Sequence, residues 1–328
     1  TLLIRRGDDT NSNKTILETW NNCSLDPNAT NYVAKVVGDS YDVIQGTGTA
    51  DPYVQNTGEY GNKSAYVRVS VQKQTVDYLD TNGNIRVAAA SASLPAAGSG
   101  SLGGAFGGGA DGNKVNAGAG SNFYENIAQA DSQGYDATTL ENVNGGKKYA
   151  DALTLLGNQD FYDINMIVVP GINQNQHSAV VDQAIEACEA RGDCFAVVDP
   201  VPHGSTITTA TGEADDYNTS YAAMYWPWVQ IADNQLGKNV WVPPSVVMPG
   251  VMAYNDAQKA EWYAPAGLNR GGITAIKAER NLTHSNRDDL YEKRINPIAT
   301  FPGVGVCAWG QKTLQKRPSA LDRINVRR

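Results

Sequence analysis

The sequence predicts an α/β plus β protein, with a β-rich domain followed by an α/β domain within 328 residues. Three observations carry this prediction. Short β-branched and aromatic runs, separated by turn formers, occupy the first hundred residues or so. A strand–helix–strand pattern lies between 164 and 198, which demands a right-handed crossover and a parallel sheet. Between them, residues 98–120 are dominated by glycine and alanine, with little to bury and much backbone entropy to lose. The boundary therefore falls within 98–145. The expected division is a β-rich domain over 1–112, a Gly/Ala-rich linker or insertion over 113–145, and an α/β core domain over 146–328.

Taken in order, residues 2–6, 32–37 and 65–71 read as strands. In the last of these, Tyr66, Arg68 and Ser70 alternate with Val67, Val69 and Val71, the period of a half-buried strand. Asn82-Gly83 marks a hairpin turn, since both residues tolerate positive φ. In the second half, 164–169 is an apolar strand ended by Pro170-Gly171. Residues 176–191 form an amphipathic helix with Val180, Ala184, Ala187 and Cys188 on one side, and 194–198 is a second apolar strand. Further helices are predicted over 220–231, broken by Pro227, and over 285–294. Further strands are predicted over 240–242 and 304–308.

Lys plus Arg number 26 against 34 Asp plus Glu, a net charge of −8. Such a balance repels phosphate backbones and anionic lipid, so neither nucleic acid nor a membrane surface is an expected partner. No apolar run reaches the roughly 18 residues needed to cross a bilayer. The charge is unevenly spread. From Lys312 onward, Lys312, Lys316, Arg317, Arg323, Arg327 and Arg328 stand against a single acid, Asp322, leaving an excess of negative charge on the rest. An acidic body with a basic end suits head-to-tail contacts between copies, which makes these six residues the candidate subunit-interface set. A solvated basic tail is the plainer alternative. The chain starts at Thr1 without an initiator Met and stops at Arg327-Arg328, as a trypsin-like cut would leave it, so it reads as a fragment.

Chemistry is sparse. Cys23, Cys188, Cys194 and Cys307 contain no Cys-x-x-Cys pair and read as buried free thiols. The glycine tract lacks a Gly-Lys-Ser/Thr ending and follows no strand, so no nucleotide cofactor is expected. The three histidines have no metal-ligand spacing, and no metal is expected. Asp199, His203 and Ser205 at a strand end can be sketched as orienter, base and nucleophile, the basis of an alternative hydrolase-like reading. Ser205 sits on no Gly-x-Ser-x-Gly elbow, however, and triad members rarely crowd into seven residues. A polar loop is the preferred reading, with His177 and His284 as capping or surface residues. Tyr221, Tyr225 and Trp228 fall at i, i+4, i+7, joined by Trp226, Trp241, Trp262 and Tyr263. Core packing or a protein interface is expected of them before a ligand platform.

The last ninety residues carry a distinctive series. Val242-Pro243-Pro244-Ser245 leads to Gly250, Ala253 and Asp256, then to Trp262-Tyr263-Ala264-Pro265-Ala266-Gly267-Leu268-Asn269-Arg270-Gly271. Ile295-Asn296-Pro297-Ile298, Phe301-Pro302-Gly303-Val304-Gly305, Trp309-Gly310, Lys312-Thr313-Leu314 and Asp322-Arg323-Ile324-Asn325-Val326-Arg327-Arg328 follow. With Leu25-Asp26-Pro27-Asn28, Asn31-Tyr32-Val33, Gly38-Asp39 and Gly109-Ala110-Asp111-Gly112, this order resembles the tail sheath proteins of contractile bacteriophages. The resemblance implies a structural subunit without enzyme activity, whose α/β portion is of the subtilisin-like type but carries no triad. Its implied partners are copies of itself in stacked six-fold rings, the tail tube protein, and the baseplate and tail terminator proteins. Its implied place is the virion, after assembly in the host cytoplasm. The β-rich half would lie at the periphery and the α/β half nearer the tube. Contraction would drive the tube through the host envelope. A bacterial contractile injection sheath is the near alternative. The terminal arms and C-terminal domain of such proteins lie outside this stretch, so the fragment itself is expected to be a monomer.

Overall fold

The computed structural model describes residues 1–7, 9, 12–46, 52–71, 127–132, 134–234, 237–260 and 262–317. They fall into two compact units, one within 1–109 and the other within 110–328. The Asn82-Gly83 turn, the glycine tract and the basic residues Arg323, Arg327 and Arg328 lie outside the described residues.

In the first unit, β1 (Leu2–Arg5) pairs antiparallel with β2 (Ile16–Trp20), with a register shift between Ile4 and Arg5. Arg5 closes the turn by a two-pronged contact to Asp9, Nε to Oδ2 at 2.7 Å and Nη2 to Oδ1 at 2.6 Å. That guanidinium holds the Asp9 carboxyl below the usual range. The expected strand over 32–37 is instead a short helix, α1 (Val33–Val37), which buries Ala34 and Val37. Gly38 ends it at φ 110°, where a Cβ would stand 2.3 Å from the Asn62 Cα. β3 (Tyr41–Gln45) and β4 (Tyr53–Thr57) form a second antiparallel pair.

Residues 65–71 are not a strand either. Tyr66, Arg68 and Ser70 are exposed while Val67 and Val69 are half-buried, so the alternation is present without a ladder. One backbone bond, Val69 N–H to Gly38 O, holds the middle of this stretch, and side chains hold its start. The Ser64 hydroxyl accepts from the N–H groups of Tyr66 and Val67, and Glu18 accepts from the Ser64 hydroxyl and the Ala65 N–H. Local side-chain bonds of this kind compete directly with sheet pairing.

The second unit has three layers. Its central sheet has the order β12-β11-β7-β6-β5, built from β5 (Met166–Asn173), β6 (Phe195–Asp199), β7 (Ala222–Trp226), β11 (Ile295–Phe301) and β12 (Gly305–Ala308). The first four of these run parallel and β12 is antiparallel. On one face pack the helices α2 (Gly146–Leu156), α3 (Gln174–Arg191), α4 (Ile207–Glu213) and α6 (His284–Glu292). Their apolar sides meet Ala196, Val198, Met224 and Trp226. On the other face lie α5 (Pro244–Gln258) and the small antiparallel sheet of β8 (Val229–Asp233), β9 (Lys238–Val242) and β10 (Lys277–Ala278). There Met248, Val251 and Met252 pack on Phe195, Val197 and Tyr225.

The strand–helix–strand prediction holds, with β5 continuing through Pro170-Gly171 by a register irregularity. The helix expected over 220–231 is wrong, because this stretch forms β7 and β8. All five residues of β7 are buried, as a central parallel strand covered on both faces requires. Tyr225 lies in this strand while Tyr221 and Trp228 flank it, so their i, i+4, i+7 match is coincidental. Residues 127–132 and 134–145, within the stretch read as linker or insertion, pack on this unit. Ala137 lies in its core, and the Ser132 hydroxyl donates to Gly171 O at 2.7 Å.

Candidate functional site

In open α/β sheets, ligands bind beyond the carboxyl ends of the parallel strands. Here the ends of β5 and β6 are occupied by contacts to helix starts. At the end of β5, the Asn173 side chain accepts from the Gln176 N–H at 3.0 Å and caps α3. At the end of β6, Asp199 turns toward the first turn of α5, which begins with Pro244 and has no side-chain cap of its own. Its Oδ1 accepts from the Ser245 N–H at 2.9 Å and its Oδ2 from the Ser245 hydroxyl at 2.5 Å. Burial pushes the Asp199 carboxyl up to about 7, against the downward pull of the two Ser245 bonds.

The sketched triad does not assemble. Asp199 serves Ser245, and the Ser205 hydroxyl donates to Pro202 O at 2.7 Å. The His203 ring packs on Trp228 and Trp241, with centroids 5.6 and 5.1 Å away. His177, expected as a cap or surface residue, is buried at a kink in α3. Its Nδ1 accepts from the Asn173 N–H and its Nε2 lies 3.3 Å from Ala128 O. Desolvation lowers its pKa. His284 is exposed beside Asp288. All four cysteines are free; Cys188, Cys194 and Cys307 are buried and Cys23 is half-buried. Among the described residues no three His, Cys, Asp or Glu side chains group as metal ligands, and no helix is long and apolar enough to cross a membrane.

The interface candidates separate. Lys312 is half-buried and turned inward, its Nζ donating to Tyr291 O at 3.0 Å and lying 4.1 Å from that ring's centroid. Expectation placed it on an open surface, but the chain here is drawn against α6 and β11. Lys316 and Arg317 are exposed. The aromatic group also divides: Tyr225, Trp226 and Trp228 are buried, whereas Trp262 and Tyr263 are exposed.

Asn296, unremarked in the sequence beyond its motif, ties β11 to the returning chain. Its Nδ2 donates to Met224 O and Lys312 O, and its Oδ1 accepts from the Lys312 N–H. Two residues on, Leu314 is fully buried and its N–H donates to Ala222 O.

Residues 142–314 match the family described as the phage tail sheath protein central domain. Among curated proteins, the tail sheath protein of Vibrio phage KVP40 is 37% identical over 128 residues, 38% of this chain and 19% of that protein. The tail sheath protein of Enterobacteria phage T4 is 30% identical over 199 residues, 54% of this chain and 30% of that protein. The chain thus spans less than a third of these relatives' own length. A solved structure of the PVC sheath complex of an extracellular contractile injection system, in its contracted state, is 29% identical. It covers 51% of this chain and 43% of that one, with a TM-score of 0.40. The matched stretch opens just before α2 and closes on Leu314, so it takes in the helices and strands of the three-layer unit; the chain belongs to the phage tail sheath protein family.

Proposed function

We propose that this chain is the central part of a contractile phage tail sheath subunit, polymerising around a tail tube and shortening to drive that tube through the host envelope. The observation that carries this reading is the family match, which runs from the entry of α2 to the last core residue, Leu314. A contractile sheath needs subunits that stay rigid while the contacts between them rearrange. The three-layer unit suits that requirement, because Asn173 and Asp199 at two strand ends tie helices on both of its faces to the sheet.

In this reading the partners are further copies in stacked rings, the tube, and the baseplate and terminator proteins, all within the virion tail. The protein has no catalytic role. Lys316 and Arg317 contribute to contacts with acidic residues of a neighbouring subunit. Reversing both charges weakens sheath formation most at low salt, and a salt-independent result would remove them from the interface. The reading as a whole is tested by immunogold labelling of particles from the source virus with antibody to this chain. Label along the whole tail supports it, and label confined to the capsid, or absent from tails, overturns it.

A further inference from the structure

The outer surfaces of the α/β unit differ in character on its two faces. On the α5 side, near the β12 edge, Trp262 is 65% exposed and Tyr263 44%. Their rings stack with centroids 6.4 Å apart, and the Arg270 guanidinium lies 4.9 Å from the Tyr263 centroid. The Asn255 side chain donates to Tyr263 O at 2.8 Å, which fixes this group beside the exposed Tyr254. Two backbone bonds, Gly267 N–H to Ala308 O and Ala308 N–H to Gly271 O, clamp the same loop to β12, next to the exposed Trp309. Tryptophan, tyrosine and arginine held in fixed positions without being buried have the composition of an interface hot spot. Among the described residues Arg270 takes part in no ion pair.

On the opposite face, over the β5 edge, α3 turns a different surface outward. Asp182, Glu186 and Glu189 are exposed at i, i+4, i+7. Arg191, the one Arg or Lys of the helix, is turned inward and paired with Asp193. Among the described residues none of the three acids has an ion-pair partner.

We propose that the Trp262–Tyr263–Arg270 patch docks on the outer face of α3 of a second copy of this chain. The proposal rests on the sheath reading and names a contact surface within it. The occupant follows from charge and from placement. A patch with an unneutralised arginine faces a helix with three unneutralised carboxylates, and like surfaces would repel one another. The two surfaces also lie at opposite edges and opposite faces of one sheet. A two-fold pairing cannot satisfy both at once, whereas a head-to-tail contact satisfies one of each per copy and leaves the chain of copies open. Heterologous contacts of that kind generate helical assemblies.

The test replaces Trp262 by photoreactive p-benzoylphenylalanine in the full-length protein that carries this chain, assembled into tails, irradiated and mapped by mass spectrometry. The expected product is a covalent dimer joining position 262 to residues 175–190 of another copy. A link to the tube protein, a link to another segment, or no link between subunits in intact tails overturns the surface while leaving the sheath reading in place. Absence of the protein from tails overturns the sheath reading itself. The same reagent at Tyr254 serves if the Trp262 replacement prevents assembly. Independently, Arg270→Glu lowers the association constant about fivefold per contact, the size of a good exposed ion pair. Adding Glu186→Lys and Glu189→Lys restores tail yield, and failure of this charge swap to restore it rejects the pairing.

Discussion

Asp199→Asn isolates the cost of keeping a carboxylate inside the α/β unit. Asp199 is buried, and its pKa stands at about 7 against an ordinary 3.8, with burial as the leading cause. Between those values the folded chain holds a proton that the unfolded chain has released. The contribution of Asp199 to stability is therefore fully present below pH 3.8 and is lost as pH rises through 7. From pH 5 to pH 8 the loss amounts to about 3 kcal/mol. Asparagine keeps the cap, since its Oδ1 accepts from the Ser245 N–H and its Nδ2 donates to the Ser245 hydroxyl, but it does not titrate. Urea unfolding at pH 5, 6, 7 and 8, followed by tryptophan fluorescence, reports on this unit, which holds all six tryptophans except Trp20. The variant's midpoint should rise relative to the parent's by about 1 M urea across that range. Taking the difference removes His177, whose lowered pKa acts with the opposite sign and is common to both proteins. A difference that does not change with pH would refute the argument and leave Asp199 as a cap of ordinary acidity.

Other substitutions test the internal ties of each unit. Arg191→Ala removes a buried guanidinium that forks onto the exposed Asp193 and strands the carbonyls of Leu156 and Tyr162. It should cost about 2–3 kcal/mol by thermal or chemical unfolding, mostly from the stranded carbonyls, with Arg191→Lys recovering only part because an ammonium cannot fork. Asn296→Leu leaves the Lys312 carbonyl and the Lys312 N–H without this partner and should cost about 2 kcal/mol or more in the same assay. Gly38→Ala forces a side chain into positive φ against the Asn62 backbone. It should destabilise the first unit by about 2 kcal/mol or more, read from Trp20 in a chain whose other tryptophans are phenylalanine, and leave the second unit's transition in place.

Where a residue's partners were local, the sequence was readable. The helix α3 shows its apolar stripe, its Asn173 cap and its terminal Gly192 at φ 73° in consecutive residues. β5 and β6 are apolar runs of ordinary strand length. β7 defeated the same reading, because a strand buried on both faces has no period and its aromatics imitate a helix. β11 was hidden by Pro297, which argues against an interior strand; the parallel ladder to β7 nevertheless runs through it, and the Asn296 side chain adds bonds to Met224 O and to the returning chain. The candidate site divided in the same way. The positive charge of Lys312 is visible in sequence, but the Tyr291 carbonyl and ring that draw it inward come from another element. The exposed aromatics Trp262 and Tyr263 share their residue types with the buried Trp226 and Tyr225, and only tertiary packing tells them apart.

The strand ends bear most directly on why this unit is suited to a structural role. A parallel sheet offers polar side chains at its carboxyl edge, where the ligands of open α/β sheets bind. Here Asn173 and Asp199 are each committed to the helix that starts beside them, and Asp199 remains buried although burial makes its charge expensive. A polar group kept at such a cost fixes geometry: it locks the start of α5 to the end of β6, and so the α5 layer to the sheet. The opposite layer is locked through Asn173 and α3. The acids Asp182, Glu186 and Glu189 and the patch of Trp262, Tyr263 and Arg270 therefore sit on layers that these bonds fasten to the sheet between them. In the sheath reading proposed above, a subunit built in this way would pass a displacement at one surface to the other, as a chain of head-to-tail contacts must if it is to change length as a whole.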